Sequence, residues 1–238
     1  GGGQGNGRAI ARGLAQAGAR VVVTDLDGGT AGAVAAEITA AGGTAWSWAL
    51  DVTSEAACRT VAGEVQAQAG AIDILVNNAG IIVREGLDSP RAKDNLERTM
   101  NVNVMGTFLP TQAWLPALRA TRGCIINLAS IASSTGLAGV LGYSPSKGAV
   151  KLMTQALAAE LARDGVRVNA IAPGVIDTPM TAATRAAPDK LEKFMSRTPM
   201  GRVGQAEELV GPVVFLASDM ASYVTGVTLP VDGGFLAA

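Results

Sequence analysis

The sequence of 238 residues contains no histidine. This absence excludes catalytic triads built on histidine and metal sites with histidine ligands, so any proton transfer falls to Tyr, Lys, Asp, Glu or Cys. Cysteine is nearly absent as well, because only Cys58 and Cys124 occur. They lie in a helix-like and a strand-like segment, and their positions suggest neither a disulfide framework nor a metal site.

Strong charge and long apolar runs are also lacking. The net charge is −1 at pH 7, aromatic residues make up 4% of the chain, and no basic run occurs. These features argue against a nucleic-acid partner. No stretch of about eighteen consecutive apolar residues and no signal-peptide pattern is present. We therefore expect a cytoplasmic protein without a membrane partner.

What the sequence does contain is a regular alternation of apolar, β-branched runs with Ala-rich amphipathic stretches. Strands separated by helices of about ten or more residues are joined by right-handed crossovers, so the alternation predicts a parallel sheet with helices on both faces. The predicted fold class is therefore α/β, a doubly wound parallel sheet in a single domain over residues 1–238. The predicted strands are 20–24, 44–50, 72–76, 124–128, 166–171 and 227–231, and the predicted helices are 8–17, 31–41, 55–69, 103–120, 144–163 and 206–218.

The least regular stretch is 173–203, which carries four prolines and mixed charges. A long connection inside a compact α/β domain is usually functional. We therefore expect a lid over about residues 179–203.

A tyrosine and a lysine four residues apart, in Tyr143-Ser144-Pro145-Ser146-Lys147, are candidates for acid/base chemistry. This spacing places the phenol and the ammonium about one helical turn apart on one helix face. Because a nearby cation favours phenolate, we expect Lys147 to lower the pKa of Tyr143 from about 10. Ser130 can offer a second hydroxyl to the same substrate oxygen. Taken alone, the pair also fits a solvated lysine beside a half-buried tyrosine.

Gly1, Gly5 and Gly7 form a glycine-rich turn directly before the predicted helix 8–17. Glycine lets the backbone approach a phosphate, and a helix N-terminus supplies unpaired N–H groups and a partial positive charge. A glycine-rich tag is the alternative for the turn by itself. However, the next strand ends in Asp25, where a carboxylate would accept hydrogen bonds from a ribose diol. Together the turn and Asp25 favour a dinucleotide site.

These features belong to seven ordered motifs through which the whole chain resembles the short-chain dehydrogenase/reductase family. The motifs are the glycine turn, Asp51-Val52, Asn77-Asn78-Ala79-Gly80, Asn103-Val104-Met105-Gly106, the set Ser130, Tyr143 and Lys147, Pro173-Gly174-Val175-Ile176-Asp177-Thr178, and Val231-Asp232-Gly233-Gly234. The resemblance implies a Rossmann-like fold and hydride transfer between a nicotinamide cofactor and a carbonyl or alcohol carbon.

The resemblance also implies four catalytic residues and a set of cofactor contacts. Tyr143 would be the general acid/base, Lys147 would lower its pKa and hold the nicotinamide ribose, and Ser130 would orient the substrate oxygen. Asn103 would hold a water that links Lys147 to solvent. The implied cofactor contacts, which include Ile176 and Thr178 at the carboxamide, are Gly1, Gly5, Asn6, Gly7, Asp25, Leu26, Asp51, Val52, Asn77, Ala79, Gly80, Tyr143, Lys147, Pro173, Gly174, Ile176 and Thr178.

Among nicotinamide cofactors the sequence favours NAD. Asp25 would repel the 2′-phosphate of NADP, and neither Gln4 nor Leu26-Asp27-Gly28 adds a cation that would offset this repulsion. The pocket borders, 132–141 and 180–200, are largely small and apolar. The basic residues of the second border, which we expect to face solvent, are Arg185, Lys190, Lys193 and Arg197.

We therefore expect an NAD-dependent enzyme that acts on an uncharged secondary alcohol or ketone. The alternatives are an acyl-chain or sugar/polyol oxidoreductase on the same scaffold and a non-catalytic NAD-binding redox regulator.

Two further expectations rest on the resemblance. The family's first strand and the threonine of its glycine motif would precede Gly1, and we expect the intact protein to carry them, because without that strand two inner strand edges stay unpaired. We also expect a homotetramer or dimer, in which helices 103–120 and 144–163 pair with their symmetry mates and the segment 235–238 packs nearby.

Overall fold

The computed structural model describes residues 1–238 and contains six strands, all parallel to their neighbours. The strands are β1 (Val21–Asp25), β2 (Ala45–Ala49), β3 (Ile74–Asn77), β4 (Cys124–Leu128), β5 (Arg167–Pro173) and β6 (Thr228–Val231). Every residue of β4 is buried, which explains why its sequence is almost continuously apolar rather than alternating. The predicted α/β fold with a parallel sheet is confirmed, with strand bounds that differ from the predicted ones by at most two residues.

The strands form two separate ladders rather than one continuous sheet. β1 pairs with β2, and β3, β4, β5 and β6 follow one another in a four-stranded ladder. Between the facing edges of β1 and β3 lies a slot of about 480 Å³. Its lining is mainly apolar and includes Val22, Leu75, Ile10 and Trp114. The inner edges of β1 and β3 therefore have no strand partner within the described chain.

The structure contains nine α-helices, and helices pack on both faces of the sheet. They are α1 (Gly5–Gln16), α2 (Gly28–Ala40), α3 (Glu55–Gln68), α4 (Ala92–Met100), α5 (Gly106–Thr121), α6 (Tyr143–Leu161), α7 (Ala182–Arg185), α8 (Pro188–Met195) and α9 (Val210–Ala217). On one face, α1 and α9 pack against Ile126 and Ile171; on the other, α3, α5 and α6 pack against Ile125 and Val168. Neighbouring residues of one strand thus enter opposite cores, as the strand pleat requires.

The helix bounds shift by up to three residues, and the predicted helix 206–218 begins with a 3₁₀ turn, Ala206–Leu209. Two larger differences remain. The predicted helix 103–120 is preceded by α4, which the sequence reasoning missed, and is joined to it by the π-helical turn Asn101–Met105. The stretch that we expected to be least regular carries a 3₁₀ turn at Pro179–Thr181 followed by α7 and α8. Pro188 stands in the first turn of α8, where a missing N–H costs little.

None of the helices combines the length and the apolar character that are needed to cross a membrane.

Candidate active site

The predicted site residues gather at the carboxyl ends of the strands. Asp25 ends β1, Asn77 ends β3, Pro173 ends β5, and Ser130 follows β4 by two residues. In an open parallel sheet this edge is where ligands bind, because the strand-to-helix connections leave a crevice there.

The glycine turn is tightly folded against its neighbours. Gly5 adopts a φ of +50° at the start of α1, a conformation that favours glycine. A Cβ at Gly7 would lie 1.9 Å from the carbonyl oxygen of Gly1, so no side chain fits there. The first turn of α1 contains no acidic residue, so its N-terminal partial positive charge stays available for an anion.

Asn6 adds an independent sign of an external ligand at this turn. Its Oδ1 atom is buried without any hydrogen-bond partner in the protein. A buried polar atom without a partner costs free energy unless something else bonds to it. The turn, the helix end and this atom together fit the phosphate part of a dinucleotide.

Asp25 lies beside the glycine turn, as predicted. Its Oδ2 atom accepts a hydrogen bond of 3.0 Å from the N–H of Gly3, and its Oδ1 atom accepts one of 3.2 Å from the N–H of Asp27. Burial raises the pKa of Asp25, but the Gly3 N–H, the amino group of Gly1 and the Asp27 N–H outweigh it, so that the pKa is lowered. Asp25 is therefore a carboxylate at neutral pH. The adjacent Leu26 is exposed.

Asp51 and Val52 follow β2, on the connection to α3. The Oδ1 atom of Asp51 accepts hydrogen bonds from the N–H and the hydroxyl of Thr53, at 2.9 and 2.7 Å, and these bonds lower the pKa of Asp51. Val52 contacts Gly106 at the start of α5, where an added Cβ would lie 2.7 Å from its Cγ2.

The structure shows a core role for the side chain of Asn77. Its side-chain N–H groups donate to Thr111 Oγ1 (3.0 Å) and to Asn127 Oδ1 (2.9 Å) inside the core. Asn127 in turn donates to Thr154 on α6. The amide of Asn77 thus ties α5, β4 and α6 together, and its contact with a cofactor stays a prediction.

The residues after Asn77 connect the glycine turn to the predicted catalytic residues. Asn78 donates from Nδ2 to the carbonyl oxygen of Gly1 at 2.6 Å, and a Cβ at Gly1 would lie 2.8 Å from Cα of Ala79. A Cβ at Gly80 would lie 3.4 Å from Nζ of Lys147. The predicted phosphate and catalytic parts are therefore neighbours in space.

Tyr143 and Lys147 both lie in the first turns of α6, and the four-residue spacing survives Pro145. Lys147 Nζ lies 5.9 Å from the centre of the Tyr143 ring and donates to the carbonyl oxygen of Leu128 at 2.7 Å. Pro145 stands near the start of the helix, where its missing N–H is not needed. Lys147 is 5% exposed, and burial lowers its pKa to about 8.

The expected direction of the Tyr143 pKa is wrong for this structure. Burial raises the pKa of the phenol, while the hydroxyl of Ser130 and the charge of Arg84 act in the opposite direction without outweighing it. The ammonium of Lys147 is itself buried and donates to the Leu128 carbonyl oxygen. The phenol is therefore protonated at neutral pH in the protein alone.

Ser130 is oriented by a short 3₁₀ turn, Ile131–Ser133. Its Oγ atom accepts a hydrogen bond from the N–H of Ala132 at 3.1 Å, and Ser133 Oγ accepts one from the N–H of Ser130. These contacts occupy an acceptor site of the Ser130 hydroxyl and leave its O–H available as a donor.

Asn103 is fully buried at the π-helical turn and is held by protein groups. Its Oδ1 accepts from the N–H of Ile81, and its Nδ2 donates to the Ile81 carbonyl oxygen and to Ser146 Oγ, at 2.8, 3.0 and 2.9 Å. Ser146 Oγ donates onward to the Tyr143 carbonyl oxygen at 2.7 Å. Both amide hydrogens are used, so only an Oδ1 lone pair remains for the water that we expected. Asn103 thus anchors the Ile81 backbone to the catalytic helix.

The predicted carboxamide segment packs against the glycine turn. A Cβ at Gly5 would lie 3.4 Å from the Thr178 Cβ, and Gly174 is in close contact with Asp232 of the last motif. Ile176 is buried, its carbonyl oxygen accepts from Thr181 Oγ1, and its N–H makes no hydrogen bond within the protein. The free N–H of Ile176 beside the buried Thr178 fits the nicotinamide carboxamide that we expected there.

Two of the four basic residues expected to face solvent in the lid have protein partners. Arg185 forms an ion pair of 2.6 Å with Asp177 and donates to the carbonyl oxygen of Thr178. The guanidinium of Arg197 lies 4.5 Å from the centre of the Phe235 ring. Lys190, Lys193 and Arg197 are exposed, as expected.

The sequence reasoning missed three residues that the structure places at the site: Asn78, Ser146 and Arg84. Asn78 and Ser146 lie inside the recognised motifs, so the sequence marked their positions but did not show which groups they bond to. Arg84 lies in the segment after Gly80, and nothing in its local sequence marks it.

The chain matches a family model described as enoyl-(acyl carrier protein) reductase over residues 2–236. A cyclopentanol dehydrogenase from Comamonas is 39% identical over 225 residues, which cover 94% of this chain and 90% of that protein. The L-rhamnose 1-dehydrogenase (NAD(P)(+)) of Azotobacter vinelandii is 41% identical over 239 residues, which cover 97% of this chain and 92% of that protein.

Among solved structures, the gluconate 5-dehydrogenase of Burkholderia cenocepacia, crystallised with NADP and tartrate, is 39% identical. The two structures agree with a TM-score of 0.95, over 100% of this chain and 93% of the other.

Proposed function

Because the chain belongs to the short-chain dehydrogenase/reductase family and is therefore an oxidoreductase, we propose that it transfers a hydride between NAD(H) and a secondary alcohol or ketone, with Tyr143 as the general acid/base. The observation that carries the proposal is the meeting of three groups at one place. The phenol of Tyr143, the hydroxyl of Ser130 and the ammonium of Lys147 lie next to a turn that fits a dinucleotide phosphate.

The roles of the residues follow from their contacts. When bound, the cofactor supplies the hydride or accepts it. Tyr143, protonated in the protein alone, donates a proton to the oxygen of a ketone, or accepts one from an alcohol in the opposite direction. Ser130, whose Oγ already accepts from Ala132, donates its O–H to the same oxygen. Because the pKa of Tyr143 is raised, the rate of alcohol oxidation should increase towards alkaline pH.

Lys147 holds the carboxyl end of β4 through the Leu128 carbonyl oxygen and keeps further N–H donors for a ribose hydroxyl. Ile176 and Thr178 would hold the carboxamide, Asn6 with the N-terminus of α1 would hold the phosphates, and Asp25 would hold the adenine ribose.

The preference for NAD rests on Asp25. Its charge would repel a 2′-phosphate, and Arg8, the nearest basic residue in sequence to the turn, is occupied by Glu37 at 3.0 Å. Asp25→Asn keeps an oxygen that can accept from Gly3 but removes the charge. We expect the ratio of kcat/KM for NAD to that for NADP to fall at least about tenfold. Asp27→Asn, which alters an exposed cap of α2, is the control, and an unchanged ratio in Asp25→Asn would remove the argument for NAD.

The reaction is tested by following NAD(P)H at 340 nm at about pH 9 across a panel of secondary alcohols and polyols. Tyr143→Phe should abolish turnover and leave binding of NADH intact. The second tyrosine of the chain, Tyr223, is fully exposed, so Tyr223→Phe is a matched control that should keep full activity. Tight NADH binding without turnover of any substrate would favour the hypothesis of a non-catalytic NAD-binding redox regulator instead.

A sugar or sugar-acid substrate is the second candidate, favoured by the relatives that act on L-rhamnose and gluconate. The segment Ala132–Leu141 borders a shallow, open hollow, and the panel therefore includes polyols.

We also propose a homotetramer or dimer in which α5 and α6 meet their symmetry mates. Met105, Phe108 and Leu152, which lie on or next to α5 and α6, are 40, 37 and 64% exposed, and symmetry mates would cover this apolar surface. Phe235, which we expected near that contact, is buried against Phe194 of the same chain. Sedimentation velocity on wild type and Leu152→Glu tests the assembly.

A further inference from the structure

Arg84 lies between the catalytic residues and the lid. The backbone of Ile81, three residues earlier, is held on both its N–H and its carbonyl oxygen by the buried Asn103. From this fixed point the chain leads outwards to Arg84, whose Nη2 donates to the carbonyl oxygen of Met180 (2.8 Å) and to Thr184 Oγ1 (3.2 Å). Its guanidinium therefore stands at the mouth of the site, with the lid on one side.

Two acids on the flanking segments are already neutralised by other arginines. Glu85, the next residue, pairs with Arg91 and also accepts from Ser89 and Asn95. Asp177, two residues before the lid, pairs with Arg185 at 2.6 Å. Arg84 has no carboxylate within 4.0 Å, so it is a surplus cation at the mouth of the site.

The lid contacts do not exhaust the hydrogen-bonding capacity of Arg84. A guanidinium has five N–H donors, and the two contacts to the lid are both made from Nη2. The donors on Nε and Nη1 remain for a ligand. The charge of Arg84 also reaches the phenol of Tyr143, where it acts to lower the pKa, which places the cation close to the reacting groups.

We propose that Arg84 binds the carboxylate of the substrate, which is a hydroxy acid or its keto form whose reacting oxygen faces Tyr143 and Ser130. The proposal rests on the proposed hydride transfer and replaces the uncharged substrate expected from the sequence. A carboxylate would give the surplus cation the partner that the protein does not supply, through charge-assisted hydrogen bonds that a neutral alcohol cannot make. Because the same guanidinium contacts Met180 and Thr184, a bound acid would also be joined to the lid.

The test compares matched pairs of substrates that differ in charge. One pair is D-gluconate and D-glucitol, and the other is 3-hydroxybutyrate and its methyl ester. We expect wild type to prefer the anionic member, and Arg84→Gln to lower kcat/KM for that member by about 10- to 100-fold. The neutral member should change by less than about threefold, since it lacks the charge-assisted bond.

Two control variants separate substrate binding from a role in holding the lid. Arg84→Lys should restore part of the preference, because a cation remains. Arg59→Gln removes one positive charge from an exposed i,i+4 pair on α3 and should change neither substrate. The proposal would be overturned if Arg84→Gln lowered kcat/KM equally for both members of a pair, or if wild type showed no preference for the acid.

A binding measurement distinguishes failure of this proposal from failure of the proposed reaction. Calorimetric titration of D-gluconate and 3-hydroxybutyrate, with NADH present, is made on Tyr143→Phe and on Tyr143→Phe/Arg84→Gln. If the two acids bind to Tyr143→Phe but not to the double variant, the anion site is supported, even when wild type turns over no substrate. In that case only the proposed hydride transfer is contradicted. Oxidation of neutral alcohols with no dependence on Arg84 in rate or binding overturns the anion site alone.

Discussion

Replacing Ser146 tests how the catalytic helix is held in place. The Ser146 hydroxyl is fully buried and forms the one link between the Asn103 amide and the Tyr143 carbonyl oxygen. In Ser146→Ala one N–H of Asn103 loses its acceptor in a site that is 0% exposed. Leaving a buried donor unsatisfied costs about 1–3 kcal/mol. For a domain of this size the loss corresponds to a decrease in Tm of roughly 3–9 °C.

The assay is urea unfolding together with kcat and KM, measured in parallel on Ser144→Ala. Ser144 belongs to the same helical turn, but its Oγ accepts one hydrogen bond from the N–H of Leu137 at a partly exposed position. Water can replace that contact, so we expect a loss below about 1 kcal/mol. Ser146→Ala should also lower kcat more than it changes KM for the cofactor, because it loosens Tyr143 and not the glycine turn. Equal losses of stability in the two variants would refute the reasoning.

Two further predictions concern burial. Because burial lowers the pKa of Lys147 from 10.5 to about 8, the unfolded state binds more protons between these values. The free-energy cost of burying the charged ammonium is complete below about pH 8 and disappears as the pH approaches 10.5. The free energy of unfolding of wild type should therefore rise by about 3 kcal/mol relative to that of Lys147→Met across this window. Urea unfolding at several pH values measures it, and a flat difference would contradict it. Gly13→Ala would place a Cβ 2.2 Å from Val210 Cγ1 and should cost about 1–3 kcal/mol. Gly63→Ala, with open space around it, should stabilise α3 by about 0.5–1 kcal/mol. Opposite Tm shifts are expected, and shifts of the same sign would contradict the packing argument.

The fold could be predicted largely from local patterns. Cys124–Leu128 is continuously apolar because both faces of β4 are covered, and that burial is visible as a run of residues. The helix α4 and the π-helical turn after it could not be predicted in the same way. The turn is where the buried Asn103 amide reaches Ile81 and Ser146, and those partners lie 22 and 43 residues away in sequence.

The sequence by itself determined which residue types stand at the site and their order. The spacings within the Tyr143–Lys147 pair and between the glycine turn and Asp25 are short, and any helix or strand preserves them. Only the tertiary structure decided what surrounds each group. Burial from all sides raises the pKa of Tyr143, and partners on α5 and β4 hold the Asn77 amide in the core. Arg84 meets Met180 across 96 residues of chain. Desolvation and charge pairing are sums over neighbours in space, and the chain order does not specify those neighbours.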